Sequence, residues 1–201
     1  MYCTLFSQES QMEYYHKMHI AELKTIQSEL YSYVKDLVEA KSVYFIGKFV
    51  PYNELHHFPT LMKYLSNVSK LPIHNTAPIK FFITGLGVKS TIHMDHDTTS
   101  RIALNIPVIG YEGTFLRYYE TSEDNIILSN PNPTISQGYS YVPKDLSLVN
   151  LIKELEFIEP YLVRTDKLHQ SINNTNKFRV IVTIRWEASR DLTEFEDFVY
   201  T

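Results

Sequence analysis

Two short stretches of this chain carry residue types that could do chemistry together. The first is His93-Met94-Asp95, within STIHMDHD, at the end of a run that reads as a strand. Side chains two apart on a strand project to the same face, so one imidazole and one carboxylate reach toward a single point. Alone the pattern is unspecific: with eight histidines in 201 residues, chance supplies about 0.3 such matches. The second is His169, within LVRTDKLHQSINNTNKFRVIVTIRW, with Arg179 ten residues beyond it. Two imidazoles and one carboxylate leave three positions of an octahedral ion open on one face. That is the arrangement of non-haem Fe(II) oxygenases, with room for substrate and O2.

Arg179 opens the most strongly β-forming run of the chain. By alternation Val180, Val182, Ile184 and Trp186 share one face, and Arg179, Ile181 and Thr183 the other. A guanidinium at the mouth of a strand apolar on both faces calls for an anionic partner. Its planar fork suits a carboxylate. Either an Asp or Glu of the chain supplies that partner, or a dicarboxylate cosubstrate does, held by the metal at one end and by Arg179 at the other.

The elements that must position these residues can be read from periodicity. Met18, Ile20, Leu23, Ile26, Leu30, Val34 and Leu37 recur at steps of mostly three and four among charged residues, which predicts an amphipathic helix over 18–40. SVYFIGKFV (42–50) reads as a strand ended by Pro51, and Pro59 opens a shorter helix through Leu61, Met62, Leu65 and Val68. From Pro78 the texture changes to short β-type runs over 79–87, 89–95, 101–108, 114–120, 139–143, 157–165, 168–172 and 178–186. Only a possible turn near 145–154 interrupts them. The expected fold is mainly β with N-terminal helices: one domain over 1–201, with a helical buttress over about 1–77, a jelly-roll-like core over 78–186 and a tail over 187–201. The proline-bearing stretch 121–138 reads as a long loop, and Leu192, Phe195 and Phe198 suggest a short docking helix in the tail.

Composition sets outer limits. The chain is 44% hydrophobic and 13% aromatic, enough apolar material for a sizeable core. Its 19 Lys and Arg against 23 Asp and Glu, net charge -4 and without like-charged runs, argue against phosphate-neutralising nucleic-acid binding. One cysteine, Cys3, excludes a disulfide framework and fits a reducing compartment. The absence of a leader pattern and of a roughly 20-residue apolar run completes the expectation of a soluble cytoplasmic protein without a membrane partner.

The set His93, Asp95, His169 and Arg179 resembles the pattern of the Fe(II)- and 2-oxoglutarate-dependent dioxygenases: His-x-Asp, a distal His, and an Arg about ten residues after it. The phrases IHMDHDTTSRIALNIPV and LVRTDKLHQSINNTNKFRVIVTI are similar to those of small bacterial and viral members, over roughly residues 78–186. The resemblance implies a double-stranded β-helix, a cupin-like jelly roll, with Fe(II) held by His93, Asp95 and His169. It also implies 2-oxoglutarate chelating the iron at one end and meeting Arg179 through its 5-carboxylate. The implied reaction reduces O2, converts 2-oxoglutarate to succinate and CO2, and hydroxylates a C–H bond.

The chain departs from the family in two places. Many members carry Ser or Thr two residues after the Arg as a second donor to the 5-carboxylate; here that residue is Ile181. Thr183 shares the face of Arg179 and is one candidate. Asn105, with Arg101 and Ala103 opposite the apolar set Ile102, Leu104, Ile106 and Val108, is another if that apolar set packs on the helices. In the crowded HMDHD, His96 and Asp97 offer the same residue types, but strand parity and the family pattern favour His93 with Asp95. His16, His19, His56, His57 and His74 have no partner at ligand spacing. Among the tyrosines, Tyr118, Tyr119, Tyr139 and Tyr141 fall in candidate strands, where core packing with a bonded hydroxyl is the simpler role. The substrate class expected is a small molecule or an amino-acid or peptide residue. The alternative readings are a cupin-like metal-binding module and a metalloenzyme that does not use 2-oxoglutarate.

Overall fold

The computed structural model describes residues 14–40, 45–69, 71–73, 78–95, 100–129, 140–189, 191, 192 and 195. They form a mainly β structure with two α-helices, α1 (Leu23–Glu39) and α2 (Pro59–Val68). The strands are β1 (Tyr15–Lys17), β2 (Phe45–Val50), β3 (Ile79–Thr84), β4 (Met94–Asp95), β5 (Ile102–Ile109), β6 (Thr114–Glu120), β7 (Ile126–Ser129), β8 (Ser140–Pro143), β9 (Asn150–Glu156), β10 (Tyr161–Arg164), β11 (Leu168–Asn173) and β12 (Arg179–Arg185). Among the described residues no helix is long and apolar enough to cross a membrane.

Six strands make a large antiparallel sheet in the order β1-β10-β5-β12-β3-β2. Two antiparallel sheets of three, β11-β6-β9 and β4-β8-β7, make the second layer. Single backbone pairings of Lys89 with Ile172 and His93 with His169 join the two small sheets.

Alternation along the strands sorts the side chains between two apolar clusters. Phe81, Ile83, Leu104, Ile106, Val180, Val182 and Ile184 face the helices, where Ile26, Leu30 and Val34 of α1 and Leu61 and Leu65 of α2 meet them. The opposite set, with Ala103, Val163 and Ile181, packs between the layers against Leu116, Tyr118, Leu155 and Phe157. The buried residues recur at steps of four in α1 and of four and three in α2, as a helix packed on one face requires. The two helices are also tied by charge: the Glu29 carboxylate of α1 accepts from Thr60 N at 3.1 Å and Leu61 N at 3.4 Å, satisfying donors at the start of α2.

Several sequence expectations are revised. The first helix starts at Leu23 rather than 18, because Tyr15–Lys17 pair with β10 and Met18 N donates to Pro160 O, leaving Met18 and Ile20 buried from a non-helical lead-in. The 145–154 segment is a turn only at its start: a short helical turn at Leu146–Leu148 is followed by β9, paired with β6. Its residues, NLIKELE, favour a helix by composition, and cross-strand pairing with β6, including the Arg117–Glu154 ion pair, decides otherwise. Within 121–138 the chain forms β7, while 130–138 and Tyr139 lie outside the described residues. The expected strand over 157–165 is regular only at Tyr161–Arg164, after Pro160. In the tail, Leu192 and Phe195 are buried and Phe195 packs on Trp186 at 5.0 Å; Phe198 lies outside the described residues.

One glycine positions the functional strand. Gly110 has a φ of +62°, and a Cβ there would lie 1.9 Å from the carbonyl oxygen of Phe178 and 3.3 Å from the Arg179 Cα. The turn after β5 therefore passes against the backbone that sets Arg179 in place. Gly110→Ala is expected to destabilise the protein by at least about 2 kcal/mol, through left-handed strain and collision. The measurement is the urea midpoint at constant m-value; an unchanged midpoint would mean that the turn relaxes freely.

Candidate metal centre

His93 and His169 face each other across a reciprocal main-chain pair: His93 N donates to His169 O at 3.0 Å, and His169 N to His93 O at 2.8 Å. Residues paired this way in an antiparallel ladder project their side chains to one face, and the two rings lie 4.5 Å apart. The phase is set just upstream, where Ser90 N donates to Ser171 O. From there to the histidine pair one strand advances from 90 to 93 and the other from 171 to 169, which leaves one extra residue on the first strand, a β-bulge at Thr91 and Ile92. The bulge turns His93 onto the face of His169.

Both rings are oriented through Nδ1, at 2.9 Å from Thr91 O for His93 and 2.9 Å from Lys167 O for His169. Donation by Nδ1 to a carbonyl leaves Nε2 as the ligating atom. Asp95 presents Oδ1 at 3.5 Å from His93 Nε2, while its Oδ2 accepts from Arg185. Ligand atoms of His93, Asp95 and His169 all lie within 4.8 Å of one another. Two nitrogens and one oxygen, with rings fixed by carbonyls and the carboxylate fixed by a guanidinium, fit a divalent transition metal that keeps positions open.

The charges are set by surroundings. Burial opposes ionisation of Asp95, but Arg185 and the hydrogen bond from His93 outweigh it and hold its carboxyl well below the usual carboxylate range. For His93, burial favours the neutral ring, yet the hydrogen bond and charge of Asp95 raise its pKa. Burial, then the neighbouring His93, pushes His169 down to about 4.

A cavity of about 330 Å³ extends from this cluster between the two layers. Arg179, Ile181, Thr183 and Arg185, successive residues of one face of β12, line it together with Asn105, Ser171, Leu116 and Phe157. Arg185, bonded to Asp95, marks the metal end, and Arg179 lies six residues back along the strand. Arg179 is only 2% exposed, and its guanidinium donates to Ser171 Oγ at 2.5 Å, Thr84 Oγ1 at 3.2 Å and Ile172 O at 3.4 Å. These are neutral acceptors. Among the described residues no carboxylate pairs with it, and its Nε has no partner. Burial lowers its pKa to about 10, so it remains a cation at neutral pH.

The structure thus brings His93, Asp95 and His169 into one cluster and Arg179, Asn105 and Thr183 into the adjoining cavity. The apolar set of β5 does pack on the helices, and Asn105 turns inward, where its Oδ1 accepts from Thr183 Oγ1 at 2.6 Å. His96, Asp97 and His74 lie outside the described residues. Tyr118, fully buried 6.4 Å from the His169 ring, donates its hydroxyl to Tyr14 O. Tyr119 donates to Gln170. Sequence reasoning missed Arg185 and Ser171. Both were within reach of strand parity: Arg185 shares the face of Arg179, and Ser171 that of His169.

No family model matches the chain, and no curated protein matches it. Solved structures that superpose on it include EvdO2 from Micromonospora carbonacea var. aurantiaca, at 12% identity and a TM-score of 0.47, covering 83% of this chain and 84% of that one. The apo form of the non-heme monooxygenase ThoJ is 14% identical with a TM-score of 0.46, covering 86% and 71%. Peruvianin-I, a cysteine peptidase from Thevetia peruviana latex, is 13% identical with a TM-score of 0.36, covering 74% of this chain. The chain spans 64% of the length of Peruvianin-I. Superpositions this loose carry no chemistry across, and the site rests on its own residues.

Replacing His93, Asp95 or His169 singly by Ala is expected to weaken Fe(II) or Co(II) binding by at least about 100-fold, beyond the usual 10–100-fold loss for outer-shell partners. Anaerobic titration calorimetry reads this directly; retention of wild-type affinity in all three would refute the site. A pH effect follows from His169. Its folded pKa of about 4 lies below the roughly 6.5 of an unfolded histidine, so the unfolded chain takes up the proton first. In chelator, the contribution of His169 to stability is complete above about pH 6.5 and is lost as pH falls toward 4. Urea unfolding across that window should show a shallower acid slope in His169→Gln than in the wild type.

Proposed function

We propose that the chain is a non-haem Fe(II)- and 2-oxoglutarate-dependent dioxygenase that hydroxylates a C–H bond of a small molecule or of an amino-acid or peptide residue, releasing succinate and CO2. The observation that carries the reading is one cavity with three potential metal donors at one end and, at the other, a buried arginine paired, among the described residues, with neutral groups alone. The order β10-β5-β12-β3 facing β8-β4 and β11-β6 supports a double-stranded β-helix, the fold this reading expects.

Bound there, iron and 2-oxoglutarate would supply the oxidising chemistry, with O2 as oxidant. The residues of the chain do the rest. His93 and His169 offer Nε2 because carbonyls hold Nδ1. Arg185 keeps Asp95 ionised and turned so that Oδ1 faces the histidines. Arg179, already desolvated, offers a cation for which none of the described residues provides a counter-charge, and an anionic carboxylate fits it. Leu116, Phe157, Val163 and Ile181 line the walls with apolar surface and exclude water. About 330 Å³ is near the lower limit for ligand cavities. A cosubstrate occupies much of that volume, and the substrate approaches from the mouth.

The test is anaerobic addition of 2-oxoglutarate to the Fe(II)-loaded protein, reading the visible charge-transfer band of the chelate. The band is expected in the wild type and absent in His169→Ala, and Arg179→Ala should need about 10–100-fold more 2-oxoglutarate, the loss of a charged hydrogen-bonded pair. Iron binding without any band would overturn the reading in favour of a cupin-like metal-binding module or a metalloenzyme that does not use 2-oxoglutarate.

A further inference from the structure

The inner face of the large sheet runs on past the cavity wall. On β3, Lys80 and Phe82 share a face. Lys80 stands between Thr183 of β12 and Phe49 of β2, and one rung on Phe82 stands between Ile181 and Gly47. Phe82, Ile181 and Thr183 line the cavity, and Phe49 is 40% exposed, so this corner of the sheet opens from the cavity to solvent.

A lysine whose stem merely covers apolar surface sends its ammonium outward to water. The Lys80 side chain instead crosses diagonally to the space over Gly47: a Cβ at that residue would lie 2.8 Å from Lys80 Cε and 3.5 Å from Nζ. There Nζ lies 4.6 Å from the centre of the Phe49 ring and 4.7 Å from that of Phe82, in cation–π range of both. Among the described residues it has no hydrogen-bond acceptor and no carboxylate partner. Two rings and a glycine therefore fix an ammonium whose donors none of the described residues takes up. Burial lowers the pKa of Lys80, while the charge of Asp95 raises it and that of Arg185 lowers it, which puts the ammonium within the field of the metal-binding end.

Charge balance selects what can meet it. Asp95 is the one acid among the described residues that line the cavity, and it is paired with Arg185. Arg164 is answered by Asp166. With Fe(II) and 2-oxoglutarate bound, the two charges of the ion and the two of the cosubstrate cancel, so Arg179 and the exposed Lys89 leave the cavity positive, and Lys80 adds to this at the rim. We infer that Lys80 binds an anionic group of the substrate, a carboxylate or a phosphate, with the apolar part of the substrate beside Phe49 and Phe82; this rests on the function proposed above and narrows its substrate to an organic anion. The ammonium is preorganised for the task, because the rings and the space over Gly47 settle its position before the anion arrives.

The experiment uses three probes of similar shape, benzoate, phenyl phosphate and benzamide, added without oxygen to the Fe(II)-loaded protein in saturating 2-oxoglutarate, with binding read by equilibrium dialysis. Benzoate or phenyl phosphate is expected to bind at least about tenfold more tightly than benzamide, the difference made by a charged hydrogen bond. The tighter acid identifies the anionic group as carboxylate or phosphate. Lys80→Met should remove the preference for the acids and Lys80→Arg should keep most of it. Gly47→Ala, which fills the place of the ammonium without removing its charge, should weaken both acids and leave benzamide binding unchanged; it decides the matter if Lys80→Met does not fold. Failure of both acids to bind, equal binding of acids and benzamide, or undiminished acid binding in the variants overturns the assignment, while the charge-transfer band of the same samples leaves the cosubstrate reading intact. A wild-type protein that forms no band with 2-oxoglutarate overturns both.

Discussion

The reciprocal backbone hydrogen bonds between His93 and His169 are the constraint on which the rest of the site depends. They join segments far apart in the chain, so their loop-closure entropy must be met by the sheets on either side. Those sheets are β4-β8-β7 and β11-β6-β9, whose facing edges are joined as well by the Lys89–Ile172 pairing and the hydrogen bonds between Ser90 and Ser171. The same pair does two tasks. It makes one continuous layer out of two small sheets, and it fixes two imidazoles side by side before any ion arrives. Because the main chain does the fixing, ligand geometry does not depend on the ion. The bulge at Thr91 and Ile92 is part of the device, since a ladder without it would send His93 to the other face.

Charge balance gives the cavity its character. Arg185 and Asp95 neutralise one another at the end that holds His93 and His169, and a divalent ion bound there would add positive charge. Arg179 adds a buried cation at the other end, and among the described residues its partners are neutral. Both ends therefore favour negative ligand atoms, and the wall between them is largely apolar. A molecule with anionic groups at its two ends and methylenes between complements such a cavity in charge and polarity. A structural ion site has no use for the second cation. Leaving a guanidinium desolvated without a counter-ion opposes folding, which makes Arg179 intelligible as a ligand-binding group and hard to explain as a stabilising one.

Much of this was legible in the chain itself, and for identifiable reasons. The ligand set and Arg179 are held by strand parity, a two-residue rule that the sequence displays directly, and Asn105 turned inward because the apolar set opposite it met the helices. The helices were legible by their three-and-four spacing, apart from an N-terminal boundary blurred by buried Met18 and Ile20. What failed was the outer layer. NLIKELE is composed of helix formers, and only its pairing with β6 makes it β9, a tertiary fact without a local sign. The bulge was equally hidden, since nothing in STIHMD says that one residue is to be left unpaired. Arg185 was overlooked because a basic residue at a strand end ordinarily reaches solvent, whereas here Ser100 O, Thr165 Oγ1 and Asp95 hold it inward.

The placement of the arginines on β12 follows from what a preorganised site needs. β12 lies between β5 and β3 in the large sheet, its outward side chains packed on the helix-facing core and its inward ones on the cavity. It is also among the most completely buried strands. A strand so constrained cannot slide or twist without disrupting two interfaces, so groups mounted on it keep their spacing. Gly110 extends this rigidity to the end of the strand by letting the β5 turn press on the backbone at Phe178 and Arg179. The small sheets, with their short strands and bulged ladder, bring His93, Asp95 and His169 together at one point. The fold thereby separates the part that must hold two charges at a fixed distance from the part that can change what enters.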